Sequence, residues 1–389
     1  MSTYWQKTLT FAQQLRHELH AQPELGWQEH NTAQRIRQEL DNLGISWRAC
    51  AGTGTVAWLN AEANNSAVPS VALRGDIDAL PIHERTGVPW QSQVPGCMHA
   101  CGHDGHTAAL MASAAWLKHV EHQLPGRVTL LFQPAEEGGH GAREMIADGA
   151  LDGVDCIYGW HNWPAIEFGK LACPDGIVMC GNGTFEITVN GQGGHASQPE
   201  LCRDPVLAAS AITLALQQVV SRRMAPQQTC VLSVTSIDAR SADTVTPDQA
   251  VIGGSIRVSD SAARERMNKL IVEIAQHTAA SYAVQCEVVI KPRYDPTINH
   301  PTAAAAMRDN WQTLYGNDAL DSATRLPIMA SEDFSYYLQK IPGAFALIGA
   351  NDGANNAHPC HSSQYDFNDR LLEPVVRLYA QLVGAPAPP

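Results

Sequence analysis

Three short, dominantly apolar runs constrain this chain more than anything else in it. Val71-Ala72-Leu73, Val128-Thr129-Leu130-Leu131-Phe132 and Cys156-Ile157-Tyr158-Gly159 are too short for helices. Each reads as a strand buried on both faces, which belongs inside a parallel sheet covered by helices. Helical patterns stand between them. An apolar helix over Thr107–Leu117 separates the first run from the second, and Ala142, Met145 and Ile146 mark another before the third. Strand–helix–strand–helix predicts an α/β fold with a mainly parallel sheet. In such sheets ligands bind beyond the carboxyl ends of the strands. The residues directly behind each run are therefore the first candidates for chemistry.

Those residues are charged or metal-binding. Arg74-Gly75-Asp76-Ile77-Asp78-Ala79-Leu80-Pro81 follows the first run, Gln133-Pro134-Ala135-Glu136-Glu137-Gly138-Gly139 the second, and Trp160-His161-Asn162-Trp163-Pro164 the third. Carboxylates at a buried strand end are costly unless they are partnered. Plainer readings exist: Asp76 and Asp78 as turn caps, the glutamates as a solvated acidic loop, His161 as a packed core histidine. The densest stretch is Gly96-Cys97-Met98-His99-Ala100-Cys101-Gly102-His103-Asp104-Gly105-His106, with two Cys, three His and an Asp in eleven residues. Cys101 and His103 are two apart, so in an extended segment both side chains leave on the same side. A thiolate beside an imidazole suits a zinc-class or manganese-class ion. The plainer reading is a Gly-rich turn.

The candidate donors are Cys101, His103, Glu137, His161 and His361, the last from the polar loop 351–367. Five donors exceed the three protein ligands of a mononuclear catalytic zinc site. Two divalent ions sharing a bridging water fit the count, and such a pair polarises a carbonyl and supplies hydroxide near neutral pH. Neighbouring side chains diverge in an extended segment, so Glu137 can bind metal while Glu136 faces the water. Glu136 is then the expected general base, passing its proton to the leaving nitrogen. His195, in the Gly-rich loop Gly191–Pro199, is a candidate donor to the oxyanion, delivered when domains close. The competing reading makes Cys101 a nucleophile with His103 or His106 as its base. It leaves the paired glutamates and scattered histidines without a role.

At 389 residues the chain passes the roughly 250–300 at which one core stops growing, so two domains are expected. Its character changes at Met179, where Phe185, Ile187 and Val189 alternate with polar residues. A helix from Asp204 to about Arg222 follows, then strands Cys230–Ile237 and Val251–Val258, a helix over about Ala262–Tyr282 and a strand Val284–Ile290. That βαββαβ order is the ferredoxin-like motif, so residues 179–292 are expected as an inserted domain and residues 1–178 with 293–389 as the catalytic one. A net charge of −13 without a Lys/Arg run excludes nucleic acid and anionic membranes as partners. No window reaches about 18 uninterrupted apolar residues, and the N-terminus has no signal-like apolar stretch. The 10 Cys are scattered without CxxC spacing and predict reduced thiols in a cytoplasmic protein.

Met98-His99-Ala100-Cys101-Gly102-His103-Asp104-Gly105-His106-Thr107, Gln133–Gly138, His161-Asn162-Trp163-Pro164, Gly193-Gly194-His195-Ala196 and Ser331-Glu332-Asp333-Phe334 together resemble one family. It is the hippurate hydrolase and indole-acetyl-amino-acid hydrolase group of the aminoacylase/carboxypeptidase-type binuclear metalloamidohydrolases. Leu19–Leu25 and Ala72–Pro81 are similar to two further signatures of the group. The resemblance implies a zinc-exopeptidase-like catalytic domain holding two ions (zinc, manganese, cobalt or nickel), and an inserted lid domain through which homodimers or higher homo-oligomers form. It implies Cys101, His103, Glu137, His161 and His361 as ligands, with Glu136 as base. His361 is favoured over His358 because His361-Ser362-Ser363-Gln364-Tyr365-Asp366-Phe367 matches the family run. It implies Asp78 as a carboxylate that orients a ligand, and Arg257 as a grip on the substrate carboxylate or else a lid salt bridge. Gly75, Gly181-Asn182-Gly183 and Ser363 depart from the family pattern without removing a ligand. The expected activity is hydrolysis of an N-acyl amino acid (hippurate, an N-acetyl amino or diamino acid) to a carboxylic acid and a free amino acid. A metallo-dipeptidase or carboxypeptidase on the same site is the alternative within enzymes. A ligand-binding protein without turnover is the alternative outside them, and the presence of Glu136 speaks against it.

Overall fold

The computed structural model describes residues 2–60, 68–353 and 357–389. It begins with helices α1 (Ser2–Ala21) and α2 (His30–Asn42), strands β1 (Ser46–Cys50), β2 (Gly54–Leu59) and β3 (Val71–Asp76), then α3 (His103–His119). Next come β4 (Val128–Gln133), α4 (Gly141–Ala147), β5 (Cys156–Glu167), β6 (Leu171–Ala172) and β7 (Gly176–Met179). The middle of the chain holds β8 (Gly181–Asn190), β9 (Gly194–His195), α5 (Pro205–Leu216), β10 (Cys230–Asp238), β11 (Val245–Thr246), β12 (Gln249–Val258), α6 (Ser261–Ser281) and β13 (Gln285–Pro292). It closes with β14 (Thr297–Asn299), α7 (Pro301–Tyr315), α8 (Ser335–Leu338), β15 (Gly343–Asn351) and α9 (Leu372–Leu382). The chain divides into two compact units, one of residues 1–178, 298–326 and 333–389, the other of residues 179–297 and 327–332.

The first unit is built on a seven-stranded sheet in the order β1-β2-β4-β3-β5-β15-β6. Its centre, β4-β3-β5-β15, is parallel, and the strands at either side join antiparallel. β3 and β4 are buried along their whole length, as apolar runs covered on both faces must be. Helix α3 is buried at fifteen consecutive positions, His103 to Leu117, because α1, α9 and the sheet surround it. A helix apolar on every side can only be a core helix.

Two expectations about local structure are corrected here. The segment holding Cys101 and His103 is not extended: α3 already starts at His103, and Gly102 precedes it in the left-handed region at φ +92°. A side chain at Gly102 would collide with Asn162 Oδ1 and the Tyr365 hydroxyl, so glycine is needed there for both its dihedral and its size. His161 does not follow the third strand but lies within it. β5 runs on to Glu167 because β15 pairs with it from Ile157 to Trp163, while its ladder with β3 stops at Tyr158.

The second unit carries a four-stranded antiparallel sheet in the order β10-β12-β8-β13, with α5 and α6 packed on it. Taken in chain order the strands stand 2-3-1-4, the arrangement of the ferredoxin-like motif. Phe185, Ile187 and Val189 point into its core with Ile212, Ile271 and Ile274. Asp204 caps α5 by accepting from the Val206 and Leu207 amides. His195, expected on a free glycine-rich loop, sits instead in a short ladder, opposite Val245. The Gly193 amide bonded to Asp248 Oδ1 at 2.7 Å and the Ala196 amide bonded to the Thr244 carbonyl hold both ends of it.

A buried polar cluster ties α1 to the start of α3. His20 lies 2.7 Å from Asp104 Oδ2 and 3.3 Å from Glu84 Oε1, and Arg16 bonds Asp366 and Asp369 beside them. Burial alone would lower the His20 pKa, but the Asp104 and Glu84 carboxylates outweigh it and raise it to about 9. A raised folded-state value means that this contribution is complete below the ordinary histidine pKa near 6.5 and disappears as pH rises through about 9. Urea unfolding should therefore show a loss on the order of 3 kcal/mol between pH 6.5 and 9 from this residue. A His20→Asn variant should flatten that part of the stability profile.

Candidate metal centre

Three strands of the first unit bring their residues together with the start of α3. β3 ends on Asp76 and continues to Asp78, the turn after β4 carries Glu136 and Glu137, and β5 carries His161. Within this unit, four overlapping groups of potential ligand atoms form, each with all its atoms within 4.8 Å of one another. Cys101, His103 and His161 make one, Cys101, Glu137 and His361 a second, His103, Glu136 and Glu137 a third, and Asp76, His103 and His106 a fourth. Cys101 belongs to the first two, and His103 with Glu137 links them through the third. All five expected donors are thus in one contiguous cluster.

The tautomer of each histidine follows from its partners. His103 Nδ1 lies 2.9 Å from the Asp78 carbonyl and 3.1 Å from Asp78 Oδ1, both acceptors, so Nδ1 carries the proton. Its Nε2 is buried and among the described residues has no hydrogen-bond partner, with Asp76 Oδ2 3.5 Å away. His161 Nδ1 donates to the Asn162 carbonyl at 2.6 Å, which leaves the Nε2 lone pair 3.2 Å from Cys101 Sγ. Histidines held by one nitrogen with the other directed at a common point are what a metal site requires. Burial lowers the His103 pKa, but Asp76, Asp78 and Glu137 overcome this and hold it at about 10. That field favours positive charge at His103, whether a proton or a metal ion. The orphaned Nε2 and the mixed S/N/O donor set fit divalent transition ions.

Glu136 and Glu137 do not lie in an extended segment. They occupy a turn that begins with Ala135 at φ +50°, and a carboxylate oxygen of each lies within 4.8 Å of the other's and of a His103 ring nitrogen. The Asp78 carboxylate spans two partners: Oδ1 holds His103, and Oδ2 accepts the Glu137 amide at 2.9 Å. Glu137 is held below the usual carboxylate range because its hydrogen bond to His361 and the nearby His103 outweigh burial. The Glu136 carboxylate is 6% exposed as a residue, and its Oε1 accepts the Asp333 amide at 3.3 Å. His361, at φ +68°, lies 3.0 Å from Glu137 Oε1, with its amide bonded to the Ala100 carbonyl at 2.7 Å. His358, three residues earlier, is exposed and joins none of these groups. An Asp78→Ala substitution should weaken metal binding about 10–100-fold, measured by competition with a chromophoric chelator.

Other members of the Cys/His stretch serve the frame. His106 is held between Asp76 Oδ1 at 2.6 Å and Asn162 Oδ1 at 2.9 Å. His99 is buried with neither ring nitrogen bonded among the described residues, and burial pushes it down to about 4, so it is a neutral core histidine. The imidazole nitrogen that meets Cys101 Sγ, at 3.2 Å, is His161 Nε2, in place of the His103 or His106 of the nucleophile reading. The Cys360 hydrogen bond and burial raise the Cys101 thiol well above its usual range, the reverse of what a nucleophilic cysteine needs.

Sequence reasoning missed Arg74, Gln133 and the role of Asp333. Arg74 bonds Asp76 Oδ2 at 2.6 Å, Asp333 Oδ1 at 3.2 Å and Gln133 Oε1 at 2.8 Å, all fully buried. Asp333 Oδ2 also accepts the Ala142 amide at 2.9 Å. Asp333 and Arg74 are 259 residues apart, and no local pattern announces such a pair.

Two expected residues belong to the second unit. The Ser197 amide donates to His195 Nδ1 at 3.2 Å, and the Ser197 hydroxyl lies 2.7 Å from the same nitrogen. His195 is exposed, and its proton is therefore on Nε2. Arg257 Nη1 donates to Ser331 Oγ at 3.1 Å, and among the described residues no carboxylate pairs with it. The alternative of a lid salt bridge is not seen there.

Comparison with known proteins agrees with this geometry. Residues 72–385 match Peptidase family M20/M25/M40. The IAA-amino acid hydrolase ILR1-like 2 of Arabidopsis thaliana is 38% identical over 375 residues, covering 95% of this chain and 83% of the relative. The hippurate hydrolase of Campylobacter jejuni is 35% identical over 373 residues, 95% of each chain. The crystal structure of the Bacillus subtilis YXEP protein, described as a dinuclear metal binding peptidase, superposes with a TM-score of 0.83 at 31% identity, over 97% of this chain and 98% of that one. By fold and by sequence, the chain belongs to Peptidase family M20/M25/M40 and is a hydrolase.

Proposed function

We propose that the protein hydrolyses the amide bond of N-acyl amino acids, releasing a carboxylic acid and a free amino acid. The observation that carries this reading is the grouping of Glu136 with His103 and Glu137, which in turn share ligand groups with Cys101, His161 and His361. Two divalent ions held by those five donors would polarise the scissile carbonyl and lower the pKa of water. Zinc, manganese, cobalt and nickel all suit such a donor set.

The chain's own part of the mechanism follows from its residues. Glu136 takes the proton of the attacking water on its carboxylate and returns it to the leaving nitrogen. Asp333 holds Glu136 through its amide, and Asp78 keeps His103 and the Glu137 amide in register. We assign the second unit, residues 179–297 and 327–332, the role of a lid. Its His195 carries an Nε2 proton suited to hydrogen-bond the oxyanion, and Arg257 has a charge available for the substrate carboxylate. Replacing Arg257 by Met should raise KM about 10–100-fold, the loss of one charge-assisted hydrogen bond, with kcat little changed. Substrates with an amidated C-terminus should not feel the change.

We further assign homodimerisation to the second unit. Its α5 exposes Leu207 at 56% and Leu214 at 76%, and β10 is an edge strand of the kind that pairs with another copy. All ten cysteines are free thiols, which supports a reducing, cytoplasmic setting. The deciding experiment strips the protein of metal and restores one ion at a time. It then assays hippurate, N-acetyl amino acids, N-acetyl diamino acids and dipeptides. Ion-dependent release of amino acid from acylated substrates supports the proposal, whereas turnover confined to dipeptides would make the protein a dipeptidase.

A further inference from the structure

Glu29 lies outside the metal cluster and outside every motif that points to it. It is the residue before α2, where an acidic side chain ordinarily caps its own helix, yet it makes no such bond. Glu24 does that work instead, accepting the Asn31 and Thr32 amides at 3.1 and 2.8 Å. The Glu29 carboxylate is turned inward and is 0% exposed. Oε1 accepts the Ala135 amide at 2.8 Å, and Oε2 accepts the Thr53 hydroxyl at 2.7 Å. A buried carboxylate is costly unless its bonds return that cost.

Ala135 is where those bonds count. It is a non-glycine residue in the left-handed region, at φ +50°, and its amide is the last before the two glutamates. Its carbonyl accepts the Gly141 amide at 3.1 Å, closing the loop. Gly26 packs against it so closely that an added Cβ would lie 3.2 Å from Ala135 Cα. The same connector bonds the other side of the site, the Glu24 carbonyl accepting the Ala79 amide at 2.8 Å. Glu29 thus holds the amide before Glu136, and Asp78 holds the amide after it.

We propose that Glu29 is a positioning residue for Glu136: by accepting the Ala135 amide it stabilises the left-handed turn that presents Glu136 to the site. The inference rests on the general-base reading of Glu136 above. Glu29 is in none of the candidate ligand groups and acts through the loop 134–141.

The test uses Glu29→Gln and Glu29→Ala in the full chain. The amide oxygen of Gln can still accept from Ala135, so Glu29→Gln isolates the acceptor from the charge. Hydrogen–deuterium exchange of the peptide spanning residues 134–141 is measured first, on metal-free protein. Exchange there should rise at least about tenfold in Glu29→Ala and stay near wild type in Glu29→Gln. With metal restored, Glu29→Ala should lose about 10–100-fold in kcat at a KM within about twofold of wild type, and Glu29→Gln should recover most of it. In a Glu136→Gln background, Glu29→Ala should cost little more, because the group it positions is already gone. Unchanged exchange at 134–141 in a folded Glu29→Ala protein overturns the proposal. So does a Glu29→Gln as slow as Glu29→Ala, or a full additive loss in the Glu136→Gln background. Failure of the wild type on every acylated substrate would count against the proposed function instead, and the exchange measurement would still decide the hold of Glu29 on the loop.

Discussion

A Glu136→Gln protein should keep its metal ions and its substrate affinity while losing about 10²–10⁴-fold in kcat, the range removed with a positioned general base. The substitution leaves the shape of the side chain unchanged. The Gln oxygen can still accept the Asp333 amide that now meets Glu136 Oε1 at 3.3 Å, so the turn has no reason to move. What disappears is the ability to take a proton. Metal content should stay at the wild-type stoichiometry, because Glu137, Cys101 and the three histidines are the proposed donors. KM should stay within about threefold, since the lost interaction is one made in the transition state. Activity retained at the wild-type level would place the base elsewhere, and simultaneous loss of metal would make Glu136 a ligand.

The parts of this molecule that could be read from its sequence are those whose physics is local. Val71–Leu73 and Val128–Phe132 announce buried strands because nothing else tolerates so little polarity over so few residues. The carboxyl-end rule for parallel sheets then points to Asp78, Glu136 and Glu137 without knowledge of the partners. The βαββαβ order likewise implies the second sheet, because hairpins and crossovers leave few alternatives. What was misread is conformational. The left-handed Gly102 starts α3 two residues after Cys101, and periodicity carries no signal for one backbone dihedral. The continuation of β5 through His161 depends on β15, nearly two hundred residues later. His195 looked mobile because glycines surround it, yet Val245 in β11 and Asp248 just after it pin the loop. Glu29 and Arg74 could not be found at all. Each is a single charged residue whose partner, Ala135 or Asp333, is more than a hundred positions away.

Removal of the Cys101 side chain should be as damaging as loss of the base, and for a different reason. Its Sγ is the atom common to the group with His103 and His161 and the group with Glu137 and His361. A Cys101→Ala protein should therefore bind both ions more weakly, not one. The drop in affinity should exceed the 10–100-fold typical of losing a partner that only orients a ligand, and activity should fall to background at stoichiometric metal. Cys101→Ser leaves an oxygen in place of sulfur, a harder donor that favours manganese over zinc. Partial rescue of that variant by manganese should follow. The nucleophile reading makes the opposite forecast. There Cys101→Ala would be inactive with its metal content intact, and manganese would rescue nothing. The burial and Cys360 hydrogen bond that raise the Cys101 thiol leave little thiolate at neutral pH unless an ion draws the proton off. Metal content of the two variants, measured beside their activity, thus separates a ligand from a nucleophile in one experiment.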